Sequence, residues 1–263
     1  MADPTSCAHL PPELEHDIFL LAFQNDYRDA TNLVLIAKRV FDWLIPHVLH
    51  VVQVDKMVFN QSIYQRYGHH VRHFSLDSSQ MGDLRTYIAL FPNVTNLAAW
   101  SENSQKGVWE LHRLPLTRLS ILRFHNLFPL VTQLTHLHVR LGFPVYTSGN
   151  TGRTLFPYHE FIKPLLHLPK LTHLCMPPPP TEGIMITELL LERKRCPELR
   201  ALIIISGPLE GETVQLADDE PLAARDPRIL IIRCNPAQDW EVGARGGKDM
   251  WEFADEILAL RRK

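Results

Sequence analysis

A chain of 263 residues, 45% of them hydrophobic, buries a sizeable core and sits at the upper end for one compact domain, so a small module plus a larger one is expected. Its 27 Lys and Arg against 29 Asp and Glu give a formal charge of −2, which argues against nucleic acid as a partner, because phosphate recognition needs clustered positive charge. Cys7, Cys175, Cys196 and Cys234 form no CxxC pair, the N-terminus has no signal-like apolar core, and no run nears the ~18 apolar residues of a membrane helix. The expected setting is therefore cytoplasmic or nuclear, with no membrane partner.

The chain opens with Leu10-Pro11-Pro12-Glu13-Leu14, and a proline at the first helical position is free of cost because that N–H has no intrahelical partner. Leu14, Ile18 and Leu21 recur at i, i+4 and i+7, which predicts one apolar stripe along the helix. Asp29 can cap a second helix carrying Leu33, Ile36 and Ala37, and a third carries Phe41, Trp43 and Leu44 before Pro46, where it is expected to stop. Three short helices bury little core alone and need a partner or a following domain.

Leu10-Pro11-x-Glu13-Leu14 with Ile18, followed by Ala37-Lys38-Arg39-Val40-x-x-Trp43-x-x-Pro46, resembles the F-box-like segment of fungal F-box/leucine-rich-repeat proteins. The resemblance implies that residues 1–48 dock on a Skp-type adaptor and through it join a cullin, with the rest of the chain recruiting a protein substrate. It also implies that Leu10, Pro11, Leu14 and Ile18 carry the adaptor contact, supported by Val40, Trp43 and Pro46. Some of these must face the module's own core, and periodicity does not separate the two sets. The alternative is that the three helices only cap the domain behind them.

Beyond Pro46 a pattern of apolar-x-x-apolar-x-apolar returns, starting at Leu49, Val71, Val94, Leu116, Leu134, Leu171 and Leu199. Successive starts lie 22, 23, 22, 18, 37 and 28 residues apart, and four of these intervals fall within the 20–29 residue period of leucine-rich repeats. Four copies, VTNLAA, LTRLSI, LTHLHV and LTHLCM, share a threonine after the first apolar position. Side chains alternate along a strand, so the fourth and sixth pattern positions point together into a core and place Leu97, Leu119, Leu137 and Leu174 side by side in parallel strands. Helices are expected over 57–67, 82–91, 108–114, 161–168 and 181–196. The predicted fold is α/β: an irregular leucine-rich-repeat-like solenoid with a parallel sheet over 49–263, ending in a buried strand at 229–232 and an amphipathic helix at 249–262 that caps its far end. The consensus asparagine of such repeats is missing at the seven equivalent places, Met57, Ser79, Glu102, Phe124, Gly142, Pro179 and Gly207, so the turn chemistry must differ.

The third and fifth pattern positions face the other way, which predicts a polar row on an open concave side. His73, Asn96, Arg118, His136, His138 and His173 are the substrate-binding candidates there, and mere solvation of a polar face is the competing reading. His136 and His138 share a face with His173 beside them, a spacing that zinc ligation permits. No Asp or Glu stands nearby in the pattern to orient the rings, and no metal or cofactor is assigned. The 142–160 insertion, with Tyr146 and Tyr158, and the Met176-Pro177-Pro178-Pro179-Pro180 run form a candidate substrate rim. No G-x-S-x-G elbow, phosphate loop or dinucleotide fingerprint is present, so no catalytic residue is assigned and the chain is read as no enzyme. The function expected from the resemblance is that of a substrate-receptor subunit in a Skp/cullin/F-box-type ubiquitin ligase. A leucine-rich-repeat interaction scaffold without that role is the alternative.

Overall fold

The fold is taken from a computed structural model, which describes residues 10–26, 30–54, 61–76, 84–100, 107–122, 131–140, 146–147, 154–155, 165, 168–178, 196–207, 214–217 and 226–262. Three helices come first: α1 (Pro12–Asn25), α2 (Ala30–Leu33) and α3 (Lys38–Val48). Pro46 lies inside α3 and does not end it; the helix runs two residues further. Ile36 and Ala37 fall between α2 and α3, and Asp29 lies outside the described residues.

The strands β1 (Val51–Gln53), β2 (His73–Leu76), β3 (Asn96–Ala99), β4 (Arg118–Ile121) and β5 (His136–Val139) pair in parallel, each with the next in the chain. Residues Tyr146–Thr147 (β6) and Thr154–Leu155 (β7) pair apart from this sheet as an antiparallel ribbon. The main sheet resumes with β8 (His173–Met176) and β9 (Ala201–Gly207), and β11 (Ile229–Arg233) pairs in parallel with β9. Beyond β11, β10 (Gln215–Leu216) closes the edge as an antiparallel strand, completing nine strands in the order β1-β2-β3-β4-β5-β8-β9-β11-β10. Register follows the sequence pattern: Phe74, Leu97, Leu119, Leu137, Leu174 and Leu202 are successive partners across six strands.

One face of the sheet carries the main core. The fourth and sixth pattern positions pack there with Tyr64 of α4 (Gln61–Tyr67), with Leu84, Tyr87 and Ile88 of α5 (Leu84–Leu90), and with Leu111 of the 3-10 helix at Val108–Arg113. Leu165 and Leu168 join this core, whereas 181–195, expected to be helical, lie outside the described residues. Ile45 of α3 belongs to the same cluster, so the core runs across the boundary expected at residue 48.

The threonine repeated in the sequence explains how the strands are tied without the missing asparagine. The hydroxyls of Thr117, Thr135 and Thr172 donate to the carbonyls of Thr95, Thr117 and Thr135 at 3.3, 2.9 and 3.0 Å. Those same carbonyls accept two successive backbone N–H groups from the next strand's start, as when Thr135 and His136 both donate to the Thr117 carbonyl. Each rung therefore ties the start of one strand to the carbonyl at the start of the strand before it.

The last two helices, α6 (Pro236–Ala244) and α7 (Met250–Arg261), correct the expected role of the C-terminus. They do not cap the far end of the sheet. Met250, Trp251, Ala254 and Leu258 pack on Cys175, Ala201, Ile203, Leu230 and Ile232, and Trp240 and Ala244 pack on Val51, Ala98 and Trp100. They cover the face expected to be open, so helices lie on both faces of a mostly parallel sheet, the arrangement such sheets need because both faces must be buried. Among the described residues no helix is long and apolar enough to cross a membrane.

Candidate functional site

Two surfaces follow from this architecture. The first is α1. It rests on α3 through the Glu15 to Arg39 ion pair at 2.5 Å, the edge-to-face pair of His16 and Trp43 at 5.5 Å, and Phe23 against His47. No residue of α1 is buried. Its apolar stripe points outward: Leu10, Leu14, Ile18 and Leu21 are 55, 52, 53 and 59% exposed, and Pro11 is exposed beside them. Leu35 and Ile36, between α2 and α3, are exposed as well. Of the remaining candidates, Val40 is buried, and Trp43 and Pro46 are half-buried.

The second is the polar row, which the structure places side by side as expected: His73, Asn96, Arg118, His136 and His173 are register partners on β2, β3, β4, β5 and β8. It is not an open concave surface. Asn96, His138 and His173 are buried, and each polar group has found a partner from the C-terminal helices or its own strand neighbours. Asn96 Oδ1 accepts the Trp240 indole N–H at 2.9 Å, and Arg118 Nη1 donates to Asp249 Oδ2 at 2.8 Å. His173 Nε2 meets Asp255 Oδ1 at 3.2 Å, so the carboxylate that the local pattern lacked arrives from α7. The rings of His136 and His173 stack at 4.5 Å with 7° between their planes, and Trp251 stands edge-on to both.

Hydrogen-bond chemistry fixes the protons in this network. The Trp100 indole only donates, so Ser120 Oγ accepts from it at 2.6 Å, and the same oxygen is hydrogen-bonded to His138 Nδ1 at 2.7 Å. At the next strand the Thr135 hydroxyl donates to the Thr117 carbonyl, so His136 Nδ1 carries the proton in its 2.8 Å contact with Thr135 Oγ1. Burial, then Arg140, pushes His138 down to about 3; burial, then His173 and Arg118, pushes His136 to about 3. His73 is lowered to about 4 by burial, His50 and Arg118, and burial also lowers His173 against the opposing pull of Asp255.

The turn joining α6 to α7 holds the clamp together. Asp249 caps α7, its Oδ1 accepting the N–H groups of Trp251 and Glu252 at 3.1 and 3.0 Å while Oδ2 takes Arg118. Asp239 Oδ1 accepts the Met250 N–H at 2.8 Å, and burial followed by the neighbouring Asp249 pushes its carboxyl up to about 7. A Cβ on Gly243 would lie 2.4 Å from Asp249 Oδ2, and Gly246 has φ +82°, so this turn requires glycine at both places.

Among the described residues no group of His, Cys, Asp or Glu side chains is arranged to hold a metal ion. Tyr146 lies in β6, and Tyr158 lies outside the described residues. Asp239, Trp240 and Asp255 escaped the sequence reading altogether, although Asn235-Pro236, a cap followed by a proline, signals the start of α6, and Asn235 Oδ1 does accept the Ala237 N–H at 3.2 Å. Neither a known protein family nor a characterised protein matches this chain.

Proposed function

We propose that this protein is a substrate-receptor subunit of a Skp/cullin/F-box-type ubiquitin ligase, with α1 to α3 as the F-box-like module and the strand-led repeats as an irregular leucine-rich solenoid. The observation that carries the reading is the outward apolar stripe of α1. Leu14, Ile18 and Leu21 on α1 and Leu10 just before it are four large aliphatic side chains that lie more than half exposed, and an apolar patch of that kind marks an interaction site. They include three of the positions that resemble the adaptor contact, and Glu13, Glu15 and Arg39 surround them with charge. With the sheet row covered by α6 and α7, the rim around Tyr146 and Tyr158 is the part of the chain assigned to substrate contact.

Co-purification of the full chain with a Skp-type adaptor tests this. A truncation starting at residue 48 is unsuitable, because it removes Ile45 from the main core. The full chain carrying Leu14→Asp and Ile18→Asp is the right comparison, since both sites are exposed and the fold should survive. Capture by the unaltered chain and loss of capture by the double variant supports the reading. Absence of capture by a folded, unaltered chain overturns it in favour of an interaction scaffold.

A further inference from the structure

At the β1 end of the polar row, beyond the last turn of α6, lies a cavity of about 420 Å³. His50, Val51 and His73 line it from the start of the sheet, Phe23 and His47 from the ends of α1 and α3, and Arg245 from the turn after α6. This is within the ~300–1,000 Å³ range of small-molecule sites, and it joins apolar walls to a few convergent polar groups as such sites do. None of the adaptor candidates on α1 lines it.

We propose that this cavity binds a small aromatic oxyanion, a flat ring bearing a carboxylate or phosphate, with the ring against Phe23 and His47 and the oxyanion between His50, His73 and Arg245. The inference does not depend on the adaptor reading. Its first support is charge. Among the described residues no carboxylate side chain lines the cavity. The charged groups acting on His50 are Arg72 and His47, and those on His73 are His50 and Arg118. All are cationic or become so; burial first, and these groups after it, disfavour the charged form of both imidazoles. An anion placed among them relieves that repulsion; His73 Nδ1 accepts from Asn96 Nδ2 at 3.2 Å, which leaves its Nε2–H to donate to the guest. Glu241, within α6, pairs with Arg245 Nε at 3.2 Å. The ends of α1, α3 and α6 that meet here are C-terminal and favour cations, but Asp26, Leu49 and Arg245 close their last carbonyls with backbone N–H groups, and the dipole effect fades within a turn.

The second support is shape. Four flat rings line the cavity in two tilted pairs, Phe23 with His47 at 6.0 Å and 50°, and His50 with His73 at 5.0 Å and 53°. Tilted rings offer both faces and edges to a planar guest, a geometry aromatic groups prefer over face-to-face stacking. Inorganic phosphate satisfies the charge and leaves the rings unused.

The full-length protein is titrated separately with phenyl phosphate, benzoate and inorganic phosphate, followed by histidine ring-proton NMR and calorimetry. Saturable shifts of the His50 and His73 signals, with each ring titrating at higher pH in the complex, are expected for phenyl phosphate or benzoate, and the better of the two identifies the oxyanion. Inorganic phosphate is expected to bind at least about tenfold more weakly. His50→Ala and Arg245→Gln, both at exposed positions, should each weaken binding about tenfold or more while leaving circular dichroism unchanged. No saturable shift with any probe up to ~10 mM overturns the site. Shifts that persist undiminished in the doubly substituted chain also overturn it. Inorganic phosphate binding as tightly as phenyl phosphate overturns the aromatic part of the assignment.

Discussion

Replacing His138 by Asn removes the most deeply buried ring of the polar row and leaves an amide where Nδ1 meets Ser120 Oγ. Burial holds His138 at about 3 in the folded chain, against 6.5 for an ordinary histidine. Below pH 6.5 the unfolded chain takes up a proton that the folded chain refuses. The ring's contribution to stability is therefore complete above pH 6.5 and lost as the pH falls towards 3. Each pH unit in that window is worth about 1.4 kcal/mol, so His138 alone costs the unaltered protein about 2 kcal/mol at pH 5 and about 3 kcal/mol at pH 4. The substituted chain has no such term. It starts less stable at pH 7 to 8, by roughly 1–3 kcal/mol for the lost packing. The gap between the two proteins should then shrink by about 2 kcal/mol at pH 5 and about 3 kcal/mol at pH 4. Taking the difference cancels every other titrating group. Urea unfolding followed by tryptophan fluorescence at pH 8, 7, 6, 5 and 4 measures it, because Trp100, Trp240 and Trp251 all sit in this layer. A gap constant within about 0.5 kcal/mol across that range refutes the claim that the ring is held neutral by burial.

Asp239 titrates with the opposite consequence. Its carboxyl is raised from 3.8 to about 7, so the folded chain binds the extra proton and stability falls as the pH climbs between those values. Asp239→Asn keeps an acceptor for the Met250 N–H, and it should raise stability at pH 8 by up to about 4 kcal/mol while changing little at pH 4, read from urea midpoints. Gly243→Ala drives a methyl into Asp249, breaking both the α7 cap and the Arg118 pair; a loss of at least about 2 kcal/mol is expected, whereas Gly207→Ala, with open space around it, should stay within about 1 kcal/mol. Thr135→Val removes one rung of the threonine ladder at about 1 kcal/mol, and Thr135→Ser should restore most of it. On α1, Leu14→Ala should stay within about 0.5 kcal/mol, while Val40→Ala in the core costs several times more in the same thermal unfolding assay.

Strand positions and their register were legible because period-two alternation leaves a strong mark: the leucines from Leu97 to Leu174 pair as the repeated wording requires. The threonine after each first apolar position was visible too, but its purpose needed the neighbouring strand to be in place. What the sequence pattern could not show was where the polar row points. Alternation records polarity and says nothing of exposure, and a buried polar face reads like a wet one. The groups that make burial tolerable stand far along the chain: Arg118 and Asp249 are 131 residues apart, and Asn96 and Trp240 are 144 apart. No local window contains both members of either pair.

The composition of that face changes across the sheet, and the change explains why the C-terminal helices need both kinds of contact. From β8 to β11 they cover Cys175, Ala201, Ile203, Leu230 and Ile232, an apolar patch whose burial supplies driving force without direction. Over β3 and β4 they meet Asn96 and Arg118, where a shift along the sheet by one strand would leave the Trp240 N–H and the Asp249 carboxylate without these partners. Apolar burial thus holds α7 to the sheet, and the bonds from Trp240 to Asn96 and from Asp249 to Arg118 set the position of α6 and α7 along it. An Asn96→Leu and Arg118→Met double replacement tests this division of labour. Removing only one side of each pair leaves Asp249 with no cation and the Trp240 N–H with no acceptor, so a loss of several kcal/mol is expected. Adding Asp249→Asn and Trp240→Phe should recover part of that loss, while fluorescence and amide exchange of α6 report helices that no longer hold one register. Recovery of full stability together with unchanged exchange in α6 would show that apolar burial alone positions them.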